Sequence, residues 1–452
     1  MRRALWAHAD RGNIALTNRP LDQPTPSPGT LRAVSRWQIV GLSINDVIGS
    51  GIYLLPAAAA ALLGPESLWA VLLAGLAVSL LVLCYAQAAS YFDAPGGGYL
   101  YAREAFGSFI GFEVGWMLLL TRVATAAALA NGLAEAVTHF WPAADAGWAR
   151  VSIVSGSIAL LVAINVVGVR AAANAGVLLA IGKLVPLALF VAIGALHISV
   201  SHVDASLAAP STAPLTAKPL AEAALLLLFA YAGFENLPAA AGEYRNPRRD
   251  VPFALLTMIA TVTAVYVSVQ WVALGTLPDL AHSTTPLAQA ASRFSGEWLA
   301  LLMTVGASIS ILGTSSNTVL MAPRYLLALS QDGYGPRWLA RIHPTFRTPA
   351  ISIVLIGVVS LALALSGSFV QLALLSVVSR LCTYLGTAGS VLVLRHRHGD
   401  REGALHLPGG PLIPVAAIVL SLALLASAQV ANLIAAGIAL AIGAVVYALR
   451  RR

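Results

Sequence analysis

The chain has 452 residues, of which 58% are hydrophobic and only 10% are charged. Soluble domains carry roughly 25% charged residues, so this chain lacks the charge needed to cover a water-exposed surface. The mean hydropathy of +0.80 agrees, and the composition predicts an integral membrane protein while excluding disordered, collagen-like and secreted disulfide-rich classes. The basic residues lie between long apolar runs, so the net charge of +8 does not indicate nucleic-acid binding.

The N-terminal segment and the two cysteines give no indication of a catalytic or metal-binding function. The polar segment 1–36 contains six arginines and four prolines but no apolar stretch of signal-peptide length, and we expect a cytosolic tail. Cys84 and Cys382 lie in apolar runs, which argues against a disulfide, a zinc site or a redox pair. The sequence contains no Gly-x-x-x-x-Gly-Lys-Ser motif and no metal or nucleophile cluster, so it indicates neither ATP-driven transport, nor a membrane enzyme, nor a cofactor.

Twelve segments are apolar and long enough to cross a membrane, which takes about 20 residues. They are predicted at 38–63, 67–92, 109–141, 151–169, 175–198, 220–242, 252–277, 297–329, 351–366, 369–394, 411–429 and 430–449. With the N-terminus inside, 21 of the 27 Lys and Arg residues fall in cytoplasmic segments and three in external ones. Because basic residues are enriched on the cytoplasmic side, we predict an all-α protein with 12 transmembrane helices and both termini in the cytosol.

The first predicted span is interrupted at its centre by Gly49, Ser50 and Gly51, and Pro56 follows. Glycine weakens a helix by about 1 kcal/mol relative to alanine, and proline removes a backbone donor. Unpaired backbone groups inside a membrane are too costly unless they line a cavity or meet a ligand. The interruption is therefore predicted to bind a carboxylate on the N–H groups that begin the second half-helix, with close helix packing on small residues as the alternative.

The sixth predicted span is interrupted in a similar way, by a glycine, an acid, an amide and a proline: Gly233, Glu235, Asn236 and Pro238. This interruption follows the first by 183 residues. A second similarity between the two halves has an offset of 188 residues: Phe106 precedes the third span, and Phe294 precedes the eighth. The offsets predict two five-helix repeats, at 37–198 and 219–395, followed by two extra helices at 411–449. Five is odd, so the second repeat is inverted, and paired interruptions predict a transporter's binding site.

Four stretches resemble the amino acid–polyamine–organocation transporter superfamily in their order and spacing, and the resemblance covers about residues 35–450. The stretches are Ile48-Gly49-Ser50-Gly51-Ile52; Gly96-Gly97-Gly98-Tyr99 with Ala105-Phe106-Gly107; Phe229-Ala230-Tyr231-Ala232-Gly233-Phe234-Glu235 with 243–252; and Pro323-Arg324-Tyr325 continuing to Arg347-Thr348-Pro349.

The resemblance implies a LeuT-like fold, a five-plus-five inverted repeat with helices 1 and 6 unwound at the substrate. It implies that the N–H groups of Ser50 and Gly51 bind the substrate carboxylate, with Gly49 leaving room. Phe229 resembles an aromatic gate over the ligand. The resemblance also implies that the substrate ammonium meets the carbonyl groups of Val47, Ile48, Phe229 and Ala232, in a site that also holds Gly233.

Lys183 lies in the fifth predicted span on a face of small residues, so it faces other helices rather than lipid. We predict that it couples or gates transport, either by releasing a proton or by holding the resting state. The alternative is a structural lysine that stays charged against backbone carbonyls. The resemblance implies that a lysine on the fifth membrane span stands where sodium-coupled relatives hold sodium, which would make sodium unnecessary.

Three further charged residues, Asp46, Arg122 and Glu235, are predicted to act in coupling or gating. Asp46 is expected to neutralise Arg122, because a buried arginine seldom lacks a permanent partner; contact with the substrate amine and solvation by a vestibule are its alternatives. An unpaired Arg122 would favour an acidic substrate, and a paired one a neutral substrate. Glu235 is expected to take up a proton or to tie the loosened helix, and Arg380 to mark a hydrated route or a structural anchor.

These patterns predict a secondary active transporter of amino acids in the cell membrane, independent of sodium and driven by protons or by exchange. The predicted partners are a small-molecule amino acid, protons and the lipid bilayer. Cationic substrates such as polyamines are disfavoured, because the site requires a carboxylate. The alternatives are a sodium-coupled symporter and a non-transporting amino acid sensor.

Overall fold

The computed structural model describes residues 34–94, 96–138, 141–167, 172–198, 217–346, 348–398 and 403–450. Most of the predicted tail, residues 1–33, lies outside these described residues. Within them the chain is helical and contains no β-strand, only an isolated bridge between Val34 and Tyr244.

Fifteen α-helices are present in the described residues. The first seven are α1 Arg36–Val47, α2 Gly51–Leu63, α3 Ser67–Ala89, α4 Gly98–Phe106, α5 Ser108–Val137, α6 Gly147–Val167 and α7 Ala172–Gly194. The others are α8 Ala217–Ala230, α9 Pro247–Thr276, α10 Pro286–Ser295, α11 Glu297–Gln331, α12 Ala350–Ala364, α13 Phe369–His398, α14 Leu412–Ala426 and α15 Val430–Arg450. A 3-10 segment, Phe234–Glu243, follows α8.

Eight helical stretches of the described chain are long and apolar enough to cross a membrane, and three shorter apolar helices accompany them. One of the eight, Gly51–Ala89, contains both α2 and α3. These two helices meet at Gly64, whose φ of 55° lies in a region that glycine adopts without strain. The helices agree with the prediction of a multi-pass membrane protein, and the count of twelve spans remains a prediction.

Two short helices were not predicted from the sequence. They are α4 and α10, which directly precede the long helices α5 and α11. Neither is long enough to cross a membrane, so a search for apolar runs of membrane length passes over them.

Helix α5 is the central element of the fold. In its most apolar 18-residue window, 94% of the residues are buried, and it packs against α11 and α13. A polar side chain on α5 therefore meets protein rather than lipid. Helix α3 packs against α9, and α1 packs against both α7 and α9.

Both predicted helix interruptions are present, and they touch each other. Helix α1 ends at Val47, Ile48 is extended with φ −72° and ψ 97°, and α2 begins at Gly51. Helix α8 ends at Ala230, and Gly233 has a φ of 129°. A Cβ atom at Gly233 would lie 2.7 Å from the Asp46 carbonyl oxygen. Only glycine fits there, both because of its φ and because the other break lies against it.

We predict that Gly51→Ala lowers the stability of the fold. A Cβ atom at position 51 would lie 2.6 Å from Cα of Ala230, which is backbone and cannot rotate away. Overpacking of this kind costs about 1–3 kcal/mol, so the melting temperature of the detergent-solubilised protein should fall. Gly156→Ala is the matched control, because nothing lies within 4 Å of that position in α6. Equal melting temperatures for the two variants would contradict the close contact of α2 with α8.

Candidate functional site

A cavity lies where the two interruptions face α5, α11 and α13. It is lined by seven of the eight predicted binding residues: Val47, Gly49, Ser50, Gly51, Phe229, Ala232 and Gly233. The eighth, Ile48, is fully buried and is absent from the lining. Of the predicted coupling residues, Asp46 and Arg122 line the cavity, whereas Lys183 and Glu235 lie behind its wall. Asn236 and Arg380 complete the lining with residues not singled out from the sequence: Thr125, Leu129, Ala230, Thr314, Asn317 and Thr318.

The beginning of α2 presents donors at the cavity wall. The first N–H groups of any helix have no acceptor within the helix, and here those groups belong to residues that line the cavity, Ser50 and Gly51. The Ser50 side chain is fully buried, and its Oγ has no hydrogen-bond partner among the described residues. Backbone donors, a spare hydroxyl and the positive end of the helix dipole together favour a small anion.

Carbonyl groups at the first break accept hydrogen bonds from protein side chains. The Tyr266 hydroxyl donates to the Val47 oxygen at 3.3 Å and to the Ala230 oxygen at 2.9 Å, so it links the two breaks. The Ile48 oxygen accepts from Ser310 Oγ at 3.0 Å. Two of the four carbonyls that the resemblance implied for the substrate ammonium, those of Val47 and Ile48, therefore already accept hydrogen bonds from side chains.

Lys183 is fully buried and ties α7 to the first break. Its Nζ donates to the carbonyl oxygens of Asn45 at 2.8 Å and Ile48 at 3.0 Å, and to Thr314 Oγ1 at 3.1 Å. Two of these acceptors are backbone carbonyls at the end of α1 and at the first break, as expected for the alternative of a lysine that stays charged against carbonyls. An ammonium has three donors, and three acceptors surround this one.

The predicted ion pair between Arg122 and Asp46 is wrong. Arg122 Nη2 lies 3.1 Å from Glu235 Oε1 and also donates to the Asn236 side chain. Asp46 instead accepts from the side-chain amides of Asn317 and Asn236. The Asn236 amide therefore separates the two charges that were expected to meet. The reason is the turn at Gly233, which brings Glu235 and Asn236 against α5.

Glu235 is the centre of a buried ionic cluster. Its side chain is fully shielded from solvent, and one carboxylate oxygen accepts from both Arg122 and Arg380. The other oxygen accepts from the Tyr384 hydroxyl at 3.2 Å and from the Gly233 N–H at 3.0 Å. Glu235 thus ties the second break to α5 and α13. This agrees with the predicted structural role, a tie for the loosened helix.

Phe229 lies on the cavity wall and is 6% exposed. Its ring packs edge to face on Phe369, with 5.7 Å between the ring centroids. Phe369 is the first residue of α13, so this contact joins the second break to that helix. Phe229 therefore forms part of the cavity wall, and Phe369 supports its ring from outside the lining.

Residues 34–447 match the family model described as amino acid permease. The chain belongs to this family. Membership confirms the superfamily resemblance and makes the protein an integral membrane transporter rather than an enzyme.

Three similar proteins come from Bacillus subtilis (strain 168). The methylthioribose transporter is 28% identical over 449 residues, covering 96% of each chain. The branched-chain amino acid permease BcaP is 26% identical over 445 residues, covering 93% of each chain. The serine/threonine exchanger SteT is 29% identical over 435 residues, which is 93% of this chain and 96% of the relative. All three are similar to this permease over nearly their whole length.

Three residues at the site that the sequence analysis did not single out form a recognisable pattern in the sequence. Ser310, Thr314 and Asn317 contact the first break or Asp46. They recur at spacings of four and three residues within an apolar span, so they share one face of α11. A polar stripe on a membrane helix indicates a face turned towards protein or a cavity.

We predict that removing Glu235 is more harmful than removing either arginine. Glu235→Gln leaves two buried guanidinium groups without a countercharge, and breaking a buried pair in this way costs about 3–5 kcal/mol. Arg122→Gln or Arg380→Gln still leaves one complete ion pair and should cost less. Glu135→Gln is the control, because its pair with Arg150 is partly exposed and should contribute at most about 1 kcal/mol. Thermal unfolding in detergent measures the order, and a loss in Glu235→Gln no larger than that in the control would contradict it.

Proposed function

We propose that this permease is a secondary active transporter that binds the α-carboxyl and α-amino groups of an amino acid between its two helix breaks and works without sodium. The observation that carries the proposal is the meeting of the breaks around one cavity. Paired discontinuous helices form the substrate sites of transporters built from inverted repeats. Interrupted backbone inside a membrane is tolerated where it lines such a cavity.

A five-plus-five inverted repeat with a LeuT-like fold accounts for the order of the helices. A short helix precedes a long one twice, as α4 and α5 and again as α10 and α11. Helix α5 packs on α13, and its proposed counterpart α11 packs on α7. Twelve spans result when α1 and α2 are counted as one span, α8 is counted with the following 3-10 segment, and the short helices α4 and α10 are left out. The bias of Lys and Arg supports cytosolic termini in the cell membrane.

Each charged group of the substrate is assigned to the part of the cavity wall that has groups of complementary charge or hydrogen-bonding capacity. The carboxylate is placed on the Ser50 and Gly51 N–H groups, supported by the spare Ser50 hydroxyl. The ammonium is placed near the Asp46 carboxylate, which lines the cavity and, among the described residues, is hydrogen-bonded to the neutral amides of Asn236 and Asn317. Phe229 is proposed to be the gate that closes over the bound molecule.

Lys183 supports independence from sodium. A cation held by two carbonyls and a hydroxyl at a helix break matches the oxygen ligands that a small metal ion would use. The ammonium already fills that position, with all three contacts at 3.1 Å or less. We propose that the ammonium either holds the resting state through these contacts or, by losing its proton, frees α7 from the first break and so couples the cycle to protons.

A second candidate substrate comes from a relative. The methylthioribose transporter is 28% identical to this chain, and methylthioribose has neither a carboxylate nor an ammonium. Spare donors beside an acidic side chain favour an amino acid, and a competition experiment separates the two substrate classes.

The competition experiment uses the purified protein in liposomes, with empty liposomes as the control. A panel of labelled amino acids identifies a transported substrate, which is then competed with its methyl ester, its decarboxylated amine and methylthioribose. Because charge-assisted hydrogen bonds are worth about 1.5–3 kcal/mol, each analogue should bind about 10- to 100-fold more weakly than the parent amino acid. Competition by the ester or by methylthioribose at the parent's concentration would contradict the proposed site.

A separate prediction concerns Lys183. Uptake should persist when choline replaces sodium and should change with internal and external pH. Lys183→Met keeps the length of the side chain but removes the ammonium, so transport should be lost while substrate binding stays measurable, because the carboxylate site uses other groups. Strict sodium dependence of the unmodified protein would reject this mechanism. Normal transport by Lys183→Met across the whole pH range would also reject it.

A further inference from the structure

The buried charges around the cavity do not balance. Among the described residues that line it or contact its lining, three side chains are cationic, Arg122, Lys183 and Arg380, and two are acidic, Asp46 and Glu235. Both guanidinium groups are bonded to the same carboxylate. One arginine would suffice to neutralise Glu235, so the second leaves a positive charge in excess. Isolated charges are expensive within a membrane and usually mark a substrate pathway.

The two arginines also have unused donors. Nε of Arg122 and Nε of Arg380 are buried and have no hydrogen-bond partner among the described residues. Both side chains are about 2% exposed, and both line the cavity. Arg380 Nη2 bonds Thr125 Oγ1 at 3.1 Å, so a polar hydroxyl lies on the same wall. Buried donors without partners are uncommon and call for a ligand or a water.

The position of the arginines fits a side-chain pocket. The α-carboxyl and α-amino groups are assigned to the residues of the first break and Asp46. Arg122, Thr125 and Arg380 come from α5 and α13, which form a different part of the lining. A substrate held at the breaks would direct its side chain to such a wall, and paired guanidinium groups are the preferred partners of a carboxylate.

We propose that the substrate carries a second carboxylate, as in aspartate or glutamate, and that Arg122 and Arg380 bind it. The inference rests on the proposed function, because it assumes that the common amino acid groups occupy the two breaks. Glu235 is then a positioning residue that holds both guanidinium groups at the cavity. An anionic substrate brings the missing negative charge, so the filled site is neutral with Lys183 still protonated.

The pairing of Arg122 by itself does not indicate a neutral substrate. A single arginine bonded to Glu235 would be neutralised and would leave no charge for a ligand. The second arginine on the same carboxylate changes that balance. A neutral Lys183 would be another way to balance the cluster, and that arrangement predicts a preference for uncharged substrates.

The test compares acidic amino acids with their amides, which have the same shape without the charge. Binding of L-glutamate, L-glutamine, L-aspartate and L-asparagine is measured on the full chain in detergent, and uptake is measured in liposomes. In the unmodified protein an acid should bind at least about tenfold more tightly than its amide, and Arg380→Gln should reduce that ratio by about 10- to 100-fold, the worth of charge-assisted hydrogen bonds.

The variants separate recognition from folding. Arg380→Gln and Arg122→Gln each leave Glu235 with one arginine, and in both variants the affinity for the acids should fall by more than the affinity for the amides. Arg103→Gln is the control, because Arg103 lies on α4 outside the cavity lining, and it should keep the full ratio. If one variant fails to fold, the unmodified ratio and the other variant still decide the matter.

Each remaining outcome has a distinct meaning. Equal or tighter binding of the amides, or of other neutral amino acids, overturns this inference while leaving the proposed function intact. An unchanged ratio in both arginine variants also overturns it. Binding of methylthioribose with no binding of any amino acid would reject the proposed function together with the inference.

Discussion

An unpaired backbone group inside a membrane is the constraint on which this structure depends. Two helices are interrupted within the fold, and each interruption frees carbonyl and N–H groups that hydrocarbon cannot solvate. The freed carbonyls are satisfied by side chains from other helices: Lys183 from α7, Tyr266 from α9 and Ser310 from α11. The donors at the start of α2 are not used in this way. Filled acceptors and spare donors support the proposal that the cavity binds the carboxylate of its substrate.

The same constraint determines which helices hold the site. Tyr266 donates to carbonyls of both breaks, and Gly233 brings the second break against the Asp46 carbonyl of the first. A side chain larger than hydrogen at Gly233 or Gly51 would push the two helix breaks apart. The breaks are therefore one unit, and a movement that opens the cavity between them has to disturb these contacts together.

Glu235 extends that unit to α5 and α13. Its carboxylate accepts from Arg122, Arg380, Tyr384 and the Gly233 N–H. In a low-dielectric interior such a network is strong when complete and costly when one member is removed. The cluster therefore holds the two arginines in place, and the proposal of an acidic substrate rests on the charge imbalance that remains.

The sequence alone determined the features that depend on local composition. Apolar runs predicted the membrane helices, and the glycines at 49, 51 and 233 predicted both breaks, because glycine in such a run weakens a helix wherever the chain folds. The face of small residues beside Lys183 predicted its inward orientation, and the structure supplied its contacts with the carbonyls of Asn45 and Ile48. The ion-pair partners of the buried charged residues could not be predicted in this way. Arg122 bonds Glu235, 113 residues away, and Arg380 bonds the same carboxylate from 145 residues away. Which helix faces that carboxylate depends on packing and on the turn at Gly233, so only the tertiary structure could replace Asp46 with Glu235 as the partner of Arg122.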